Sequence, residues 1–108
     1  MSAIAASDFF VGTDGERVVG FSEYDPETRE LAAVYVHPDF ERRGLGRALL
    51  EAAEAAAHAR GVDSLHLRAS LNAVSFYQRA GYVVERAGSV TLRSGSELRC
   101  VFMRKTLR

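Results

Sequence analysis

The chain has 108 residues, a length typical of one domain, and we predict a single domain over residues 1–108. Hydrophobic residues make up 47% of the chain and only two residues are proline, which excludes disordered, collagenous and fibrous proteins. The formal net charge is zero and gives no long-range field for nucleic acid or an anionic membrane surface, so we expect neither as a partner.

The cysteine content and the N-terminus indicate the compartment. The single cysteine, Cys100, cannot form an internal disulfide, and no group of His and Cys has the spacing of a metal site. The first residues lack a basic leader, and no window approaches the roughly 18 apolar residues of a membrane helix. We therefore expect a cytoplasmic protein without a metal. Alternation with Leu98 and Phe102 predicts that Cys100 is a buried, unreactive thiol.

The first third of the chain predicts three antiparallel strands. Runs of β-branched and aromatic residues at Phe9–Val11, Val18–Tyr24 and Leu31–Val36 are separated by turn residues. Asp14-Gly15 predicts a tight hairpin, and Asp25–Arg29 predicts a longer one. Simple alternation in the third strand puts Leu31, Ala33, Tyr35 and His37 on one face and Ala32, Val34 and Val36 on the other.

An alanine-rich helix follows. Apolar residues recur at helical spacing up to Gly61, and polar residues fall on the other side. The predicted inner face is Leu45, Ala48, Leu49, Ala52, Ala53 and Ala56, and the outer face carries Glu51, Glu54 and His58. Alternating apolar residues from Leu65 to Ala69 then predict a strand that is parallel to the one before the helix, through a right-handed crossover.

The last third predicts a short helix and a hairpin. The helix begins near Asn72 and ends at Gly81, with Ala73, Phe76, Tyr77 and Ala80 on one face. Strands follow at Tyr82–Glu85, continued by Val90–Leu92, and at Leu98–Met103. The predicted fold class is α/β (α+β): a mixed, mostly antiparallel twisted sheet with a central parallel strand-helix-strand unit and two main helices.

The run ERRGLGRALL at the start of the first helix suits a diphosphate or polyphosphate. The first N–H groups of a helix have no intrahelical partner and carry partial positive charge. Gly44 and Gly46 remove Cβ atoms that would keep an anion from the backbone, and Arg42, Arg43 and Arg47 add positive charge. Neither a Walker A loop nor a dinucleotide fingerprint fits this run. The alternative is an ordinary helix start with solvated arginines.

Two motifs in this order, YVHPDFERRGLGRALL and NAVSFYQRAGY, resemble the acyl-CoA-binding core of the GNAT superfamily of N-acetyltransferases. The resemblance covers about Val18 to Leu107. It implies that the strand before the first motif splays from its neighbour and offers backbone groups to the pantetheine arm of acetyl-CoA, while the helix start grips the pyrophosphate. Glu41 departs from the pattern, because the family usually has Gln or Arg there. The implied donor-binding residues are Val34, Tyr35, Val36, Arg42, Arg43, Gly44, Leu45, Gly46, Arg47, Ser70 and Asn72.

Ser70 and Asn72 are alternatives to one another. Many family members have an Asn seven residues before the tyrosine of the second motif, and Ser70 holds that spacing here, whereas Asn72 lies five residues before it. An equal alternative is that one of them caps the second helix through a bond to a backbone N–H group.

The resemblance implies that Tyr77 is the general acid that protonates the departing thiolate of coenzyme A. A phenol with a pKa near 10 is protonated at neutral pH and can donate without special tuning. The alternative role for Tyr77 is packing in the core beside Phe76. The general base stays open among Glu23, Glu30, His37, His66 and a chain of water molecules.

The implied activity is acetyl-CoA-dependent N-acetyl transfer, directly to an amine of a small molecule or a protein. The alternative is a non-catalytic acyl-CoA-binding module. The chain resembles a shortened form of the family, without its usual N-terminal strand and two helices. A shortened fold leaves a sheet edge and a groove exposed, so we expect a homodimer in which the partner helps to complete the acceptor site.

Overall fold

The computed structural model describes residues 8–41 and 43–107. Within these residues, six strands form one mixed sheet in the order β1-β2-β3-β4-β6-β5. Only the neighbours β3 and β4 are parallel in this sheet. The predicted fold class is therefore confirmed. In chain order the elements are β1 (Asp8–Asp14), β2 (Arg17–Asp25), β3 (Glu30–Val36), α1 (Leu45–Ala59), β4 (Ser64–Ser70), α2 (Val74–Arg79), β5 (Val83–Thr91) and β6 (Glu97–Thr106).

The predicted elements all occur, with different ends. The tight turn between β1 and β2 forms where predicted, and Gly15 adopts the positive φ of 63° that such a turn requires. The longer turn is closed by the N–H of Arg29, which donates to the carbonyl of Asp25 at 2.8 Å. β6 extends beyond the predicted end at Met103 and pairs with β4 as far as Thr106. The parallel crossover through α1 therefore lies in the middle of the sheet.

A β-bulge at Ala32 puts Leu31 on the same face of β3 as Val34 and Val36, and not with Ala33 and Tyr35 as predicted. Glu23 pairs with Ala33 while Tyr24 pairs with Leu31, so Ala32 is an extra residue between them. The predicted grouping of Leu31 with Ala33 and Tyr35 was therefore wrong, since one inserted residue exchanges the faces on either side of it. The β3 residues that face α1 are Leu31, Val34 and Val36.

The core lies on the face of the sheet that the helices cover. Leu50, Ala53 and Ala57 of α1 are fully buried, together with Leu65 of β4 and Met103 of β6. Burial of these side chains is the main source of the free energy of folding. The hydroxyl of Ser22 on β2 donates to the carbonyl of Leu49 at 2.9 Å and ties the sheet to the helix.

The buried stripe of α1 differs from the predicted one. Ala48 is exposed, whereas Leu50 and Ala57, which the prediction omitted, are buried. Glu54 was predicted on the outer face, but it is drawn inward by two hydrogen-bond donors described below. The helix is thus rotated about its axis relative to the apolar pattern that the sequence favours.

The opposite face of the sheet, called the open face below, has no helix packed on it among the described residues. On β1 to β3 it carries Phe9, Val11, Phe21 and Tyr35. The rings of Phe9 and Phe21 stack at 5.3 Å, and those of Phe21 and Tyr35 lie 5.7 Å apart. Phe9, Val11 and Tyr35 are each about half exposed. Within residues 8–41 and 43–107 no helix is long and apolar enough to cross a membrane.

Candidate functional site

A gap opens in the middle of the sheet between β3 and β4. The two strands pair only at Glu30 with His66 and at Leu31 with Leu67. Beyond that point β3 pairs only with β2, and β4 pairs only with β6. The bulge at Ala32 lies where pairing stops, and bulges bend the strand that carries them. Among the described residues, the backbone groups that face the gap therefore have no strand partner and can bind another molecule.

The predicted pantetheine contacts lie along this gap. Val34, Tyr35 and Val36 form one wall, beyond the last pair with β4. Val34 and Val36 point to the helix side, whereas the ring of Tyr35 lies on the open face, so only its backbone adjoins the gap. Ser70 lies at the end of the opposite wall.

The first turn of α1 leaves its backbone donors unpartnered. Gly44 caps the helix with a φ of 80°, which disfavours any residue with a side chain, and its carbonyl accepts the first helical bond from Ala48 at 3.0 Å. α1 has no side-chain cap and no acidic residue in its first turn, as far as the described residues extend. The N–H groups before Ala48 therefore point out of the helix and suit an anion.

Gly46 keeps a space open beside this helix start. A Cβ atom built at Gly46 would lie 3.5 Å from the Phe76 ring and 3.5 Å from the Cγ2 atom of Val36. An alanine would fit there at ordinary contact distance and would favour the helix by about 0.5–1 kcal/mol. Packing alone therefore does not explain the glycine. Without a side chain at Gly46, the backbone of the helix start stays accessible between Val36 and Phe76.

The arginines of the first motif differ in their surroundings. Arg42 lies outside the described residues. The guanidinium of Arg43 lies 5.1 Å from the centre of the Phe40 ring, and that of Arg17 lies 5.7 Å from it. Arg47 is paired with Glu51 at 3.2 Å along the helix surface, so part of its charge is already compensated. Sequence reasoning missed Arg17, which reaches this region from the hairpin between β1 and β2.

Tyr77 lies on α2 with a buried ring. The ring makes edge contacts with Phe76 at 5.1 Å and Tyr82 at 5.7 Å. Burial raises the pKa of Tyr77 above its usual value, so the hydroxyl keeps its proton well beyond neutral pH. The ring therefore packs in the core, as the predicted alternative had it, while the hydroxyl stays protonated.

Ser70 and Asn72 are brought together at the end of β4. The hydroxyl of Ser70 donates to Oδ1 of Asn72 at 2.8 Å, and both residues are exposed. Neither residue makes a side-chain cap to the 3-10 turn Leu71–Ala73 or to α2. The predicted capping role was therefore wrong, because their polar atoms bond to each other.

The four side chains considered as general base lie in different places. Glu30 and His66 are register partners where β3 and β4 part, on the open face. Glu30 faces Arg68 at 3.5 Å, and His66 faces Glu85 at 3.5 Å. Glu23 is paired with Ala33 further along the same face. His37 lies at the far end of β3, where its Nδ1 accepts a hydrogen bond from the N–H of Asp39 at 3.1 Å.

A cavity of about 360 Å³ adjoins the end of the β3–β4 pairing. It is formed by three separate parts of the chain: the turn between β2 and β3, the middle of β4, and the hairpin of β5 and β6. Sequence reasoning missed it because no local pattern links these segments. Its lining residues are Asp25, Thr28, Glu30, Leu31, Ala32, Arg68 and Val90.

A polar cluster centred on Glu54 lies next to Tyr82, which contacts the ring of Tyr77. Tyr82 donates its hydroxyl to Glu54 at 2.9 Å, and Nζ of Lys105 lies 3.2 Å from both carboxylate oxygens of Glu54. Burial, followed by the charge of Glu54, raises the pKa of Tyr82 far above its usual value. This network links α1, β6 and the start of β5, and it holds Tyr82 against the ring of Tyr77.

The comparison with protein families agrees with this geometry. A profile described as acetyltransferase (GNAT) domain matches residues 5–84. The chain belongs to the GNAT acetyltransferase family. Its structure is similar to that of the GCN5-related N-acetyltransferase of Rhodopseudomonas palustris, with a TM-score of 0.89 and 32% identity over 95% of this chain and 63% of that one.

Two relatives found by sequence match this chain over about half of their own length. The uncharacterized protein YxbD of Bacillus subtilis (strain 168) is 32% identical over 68% of this chain and 48% of its own length. The uncharacterized N-acetyltransferase ycf52 of Gracilaria tenuistipitata var. liui is 26% identical over 81% of this chain and 50% of its own. The GNAT chain described here thus spans about half the length of these two relatives.

Proposed function

We propose that this GNAT chain transfers an acetyl group from acetyl-CoA directly to the amine of an acceptor. The observation that carries the proposal is the gap between β3 and β4, which meets the unpartnered start of α1 at Gly46. In this arrangement the backbone of Val34–Val36 receives the pantetheine arm, and Gly44–Arg47, with Arg43, receives the pyrophosphate. Membership in the family supports the same assignment.

The reaction needs a base for the amine proton, an acid for the departing sulfur and stabilisation of the carbonyl oxygen. The amine nitrogen attacks the thioester carbonyl carbon, the carbon–sulfur bond breaks, and the amide forms. The proton lost by the amine goes to a base, and the sulfur takes a proton as it leaves. The oxygen of the carbonyl gains charge during the attack and is stabilised by backbone N–H groups of β3 just beyond its last pair with β4 at Leu31.

Tyr77 is the proposed acid for the departing sulfur. Its raised pKa keeps the proton on the phenol at neutral pH, so the phenol can pass a proton to the sulfur as the carbon–sulfur bond breaks. For the base, Glu30 is the candidate that lines the cavity beside the gap, so we propose that the amine proton passes to Glu30 directly or through water.

Amine-dependent release of coenzyme A tests the proposal against the alternative of a binding module. Tyr77→Phe keeps the buried ring but loses the proton, so the rate constant should fall about 100-fold while acetyl-CoA binds as before. Gln78→Leu, an exposed change next to Tyr77 on α2 that removes no phenol, serves as the control. A folded chain that binds acetyl-CoA but acetylates no amine would support the binding module instead.

We also propose that the chain forms a homodimer through the open face. Phe9 and Val11 on β1 and Tyr35 on β3 are half exposed on the same face, and an exposed apolar surface of this kind favours association. Sedimentation at micromolar concentration should give twice the monomer mass, and Tyr35→Lys should reduce it to the monomer mass. A parent chain that sediments as a monomer would contradict the dimer.

A further inference from the structure

The cavity on the open face lies where an acceptor would meet the donor. Glu30 and Arg68 point to the open face, because their neighbours Leu31, Leu67 and Ala69 are buried on the helix side. The proposed donor site occupies the helix side of the same gap. An acceptor entering from the open face would therefore reach the gap just beyond the last β3–β4 pair.

A positively charged and a negatively charged side chain face each other where the acceptor would enter the gap. Nη2 of Arg68 on β4 lies 3.5 Å from Oε1 of Glu30 on β3, in a long contact through one oxygen. The side chain of Arg68 is about half exposed, and such exposed pairs hold weakly. The guanidinium keeps further donors for another anion. The pair can therefore open to admit a ligand.

A second carboxylate stands at the same cavity. One oxygen of Asp25 accepts the N–H of Glu27 at 2.9 Å, and no residue that the structure describes donates to the other oxygen, which can receive a cation. The cavity wall thus holds two carboxylates, one guanidinium, the hydroxyl of Thr28 and the apolar side chain of Val90. Its volume, about 360 Å³, is that of a small-molecule site.

We infer that the acceptor is a small zwitterionic amine of the α-amino acid type, and this inference rests on the proposed transferase function. Its carboxylate pairs with Arg68, and its ammonium group is received by Glu30 and Asp25 before it loses a proton and attacks. A zwitterion replaces the one weak Glu30–Arg68 contact with two complementary ones. An apolar substituent on the same carbon would lie against Val90.

Other acceptor classes fit this wall less well. A polyamine would bring a second cation against Arg68, and like charges at contact distance repel. A polyanion would meet two carboxylates at Glu30 and Asp25. An amine without a carboxylate would leave Arg68 with the weak contact to Glu30 alone, and it would gain nothing from the guanidinium.

Three amines that share the leucine side chain test the inference: leucine, which has a carboxylate, leucinamide, which has an amide instead, and 3-methylbutylamine, which has neither. Coenzyme A release is measured with each, for the parent and for Arg68→Gln. The ratio of kcat/KM for leucine to that for leucinamide should fall at least about tenfold in Arg68→Gln, because the bond from Arg68 to the carboxylate is lost. Comparing ratios between variants cancels the different basicities of the amines. Arg68→Lys should restore part of the ratio.

Arg104→Gln is the matched control. Arg104 also lies on the open face and pairs with a carboxylate, Glu85, at 3.1 Å, but it does not line the cavity. It should leave the ratio unchanged. An unchanged ratio in folded Arg68→Gln, or faster acetylation of 3-methylbutylamine than of leucine by the parent, would overturn the zwitterion inference and leave the transferase function standing. Acetyl-CoA binding without acetylation of any amine would overturn both.

Discussion

The two faces of the sheet differ in how completely their side chains are buried. The helix-covered face buries Leu50, Leu65 and Met103 completely, and the conformation of α1 is fixed by that packing. The open face keeps Phe9 and Tyr35 half exposed and holds its charges in surface pairs. The first face supplies most of the stability and the proposed donor site, and the second face supplies the proposed acceptor site. The gap between β3 and β4 joins the two.

A matched pair of leucines measures this difference most strongly. Leu50 on α1 is 0% exposed and Leu98 on β6 is 52% exposed. Leu50→Ala should lower the free energy of unfolding by about 2–5 kcal/mol through lost burial and the cavity left behind. Leu98→Ala should lower it by under about 1 kcal/mol. Urea denaturation of both variants gives the comparison, and equal losses would show that the faces do not differ as described.

The Glu54 network tests whether polar contacts also matter on the helix side. Tyr82→Phe removes the hydroxyl that donates to Glu54, while Lys105 remains bound to it. The expected cost is about 1 kcal/mol of unfolding free energy at pH 8, measured by urea denaturation. Glu51→Gln, at an exposed pair on the same helix, is the control and should change the stability by less than Tyr82→Phe.

The folding stability of Tyr82→Phe should also depend on pH differently from that of the parent. Burial raises the pKa of Tyr82 and of Tyr77 in the folded chain, so above about pH 10 the unfolded chain loses protons that the folded chain keeps. Stability is therefore full below that pH and falls as the pH rises further. Tyr82→Phe should show a shallower fall between pH 9 and pH 11 than the parent. An identical slope would contradict the burial of the Tyr82 hydroxyl.

The smallest effect is expected at the rim of the sheet. The carboxylate of Asp8 on β1 pairs with the guanidinium of Arg60 at 2.7 Å, and this hydrogen bond lowers the pKa of Asp8. Its stabilising contribution is present above the usual Asp pKa and is lost as the pH falls through the lowered one. Asp8→Asn should lower the melting temperature slightly at pH 7 and not at acid pH. A larger drop in melting temperature at acid pH than at pH 7 would contradict a stabilising Asp8–Arg60 pair.

The proposed donor site was visible in the sequence because its residues are local, and its binding role stays a prediction. Gly44, Gly46 and Arg43 lie within a few residues at a helix start, and the periodicity of α1 marks that start. Tyr77, which the second motif indicates as the acid, packs against Phe76 on α2, and its role as the acid stays a prediction. The elements themselves were predicted to within a few residues for the same reason, since turns and periodicity are local signals.

The proposed acceptor site could not be predicted from the sequence because its residues meet only in the folded chain. Arg68 and Glu30 are 38 residues apart in sequence, and nothing near either one indicates the pair. The bulge at Ala32, which decides where β3 leaves β4, has no marker such as glycine. Glu54 was assigned outward by periodicity, and the pull of Tyr82 and Lys105 on its carboxylate is a tertiary effect.

The most direct test of the account is calorimetric titration of acetyl-CoA into the parent and into Gly46→Leu. The account predicts binding by the parent and at least about tenfold weaker binding by Gly46→Leu, because the leucine would fill the space beside Phe76 and Val36. Ala59→Leu, which adds similar bulk at the exposed far end of α1, should bind like the parent. Equal binding by all three folded chains, or none by the parent, would contradict the proposed donor site.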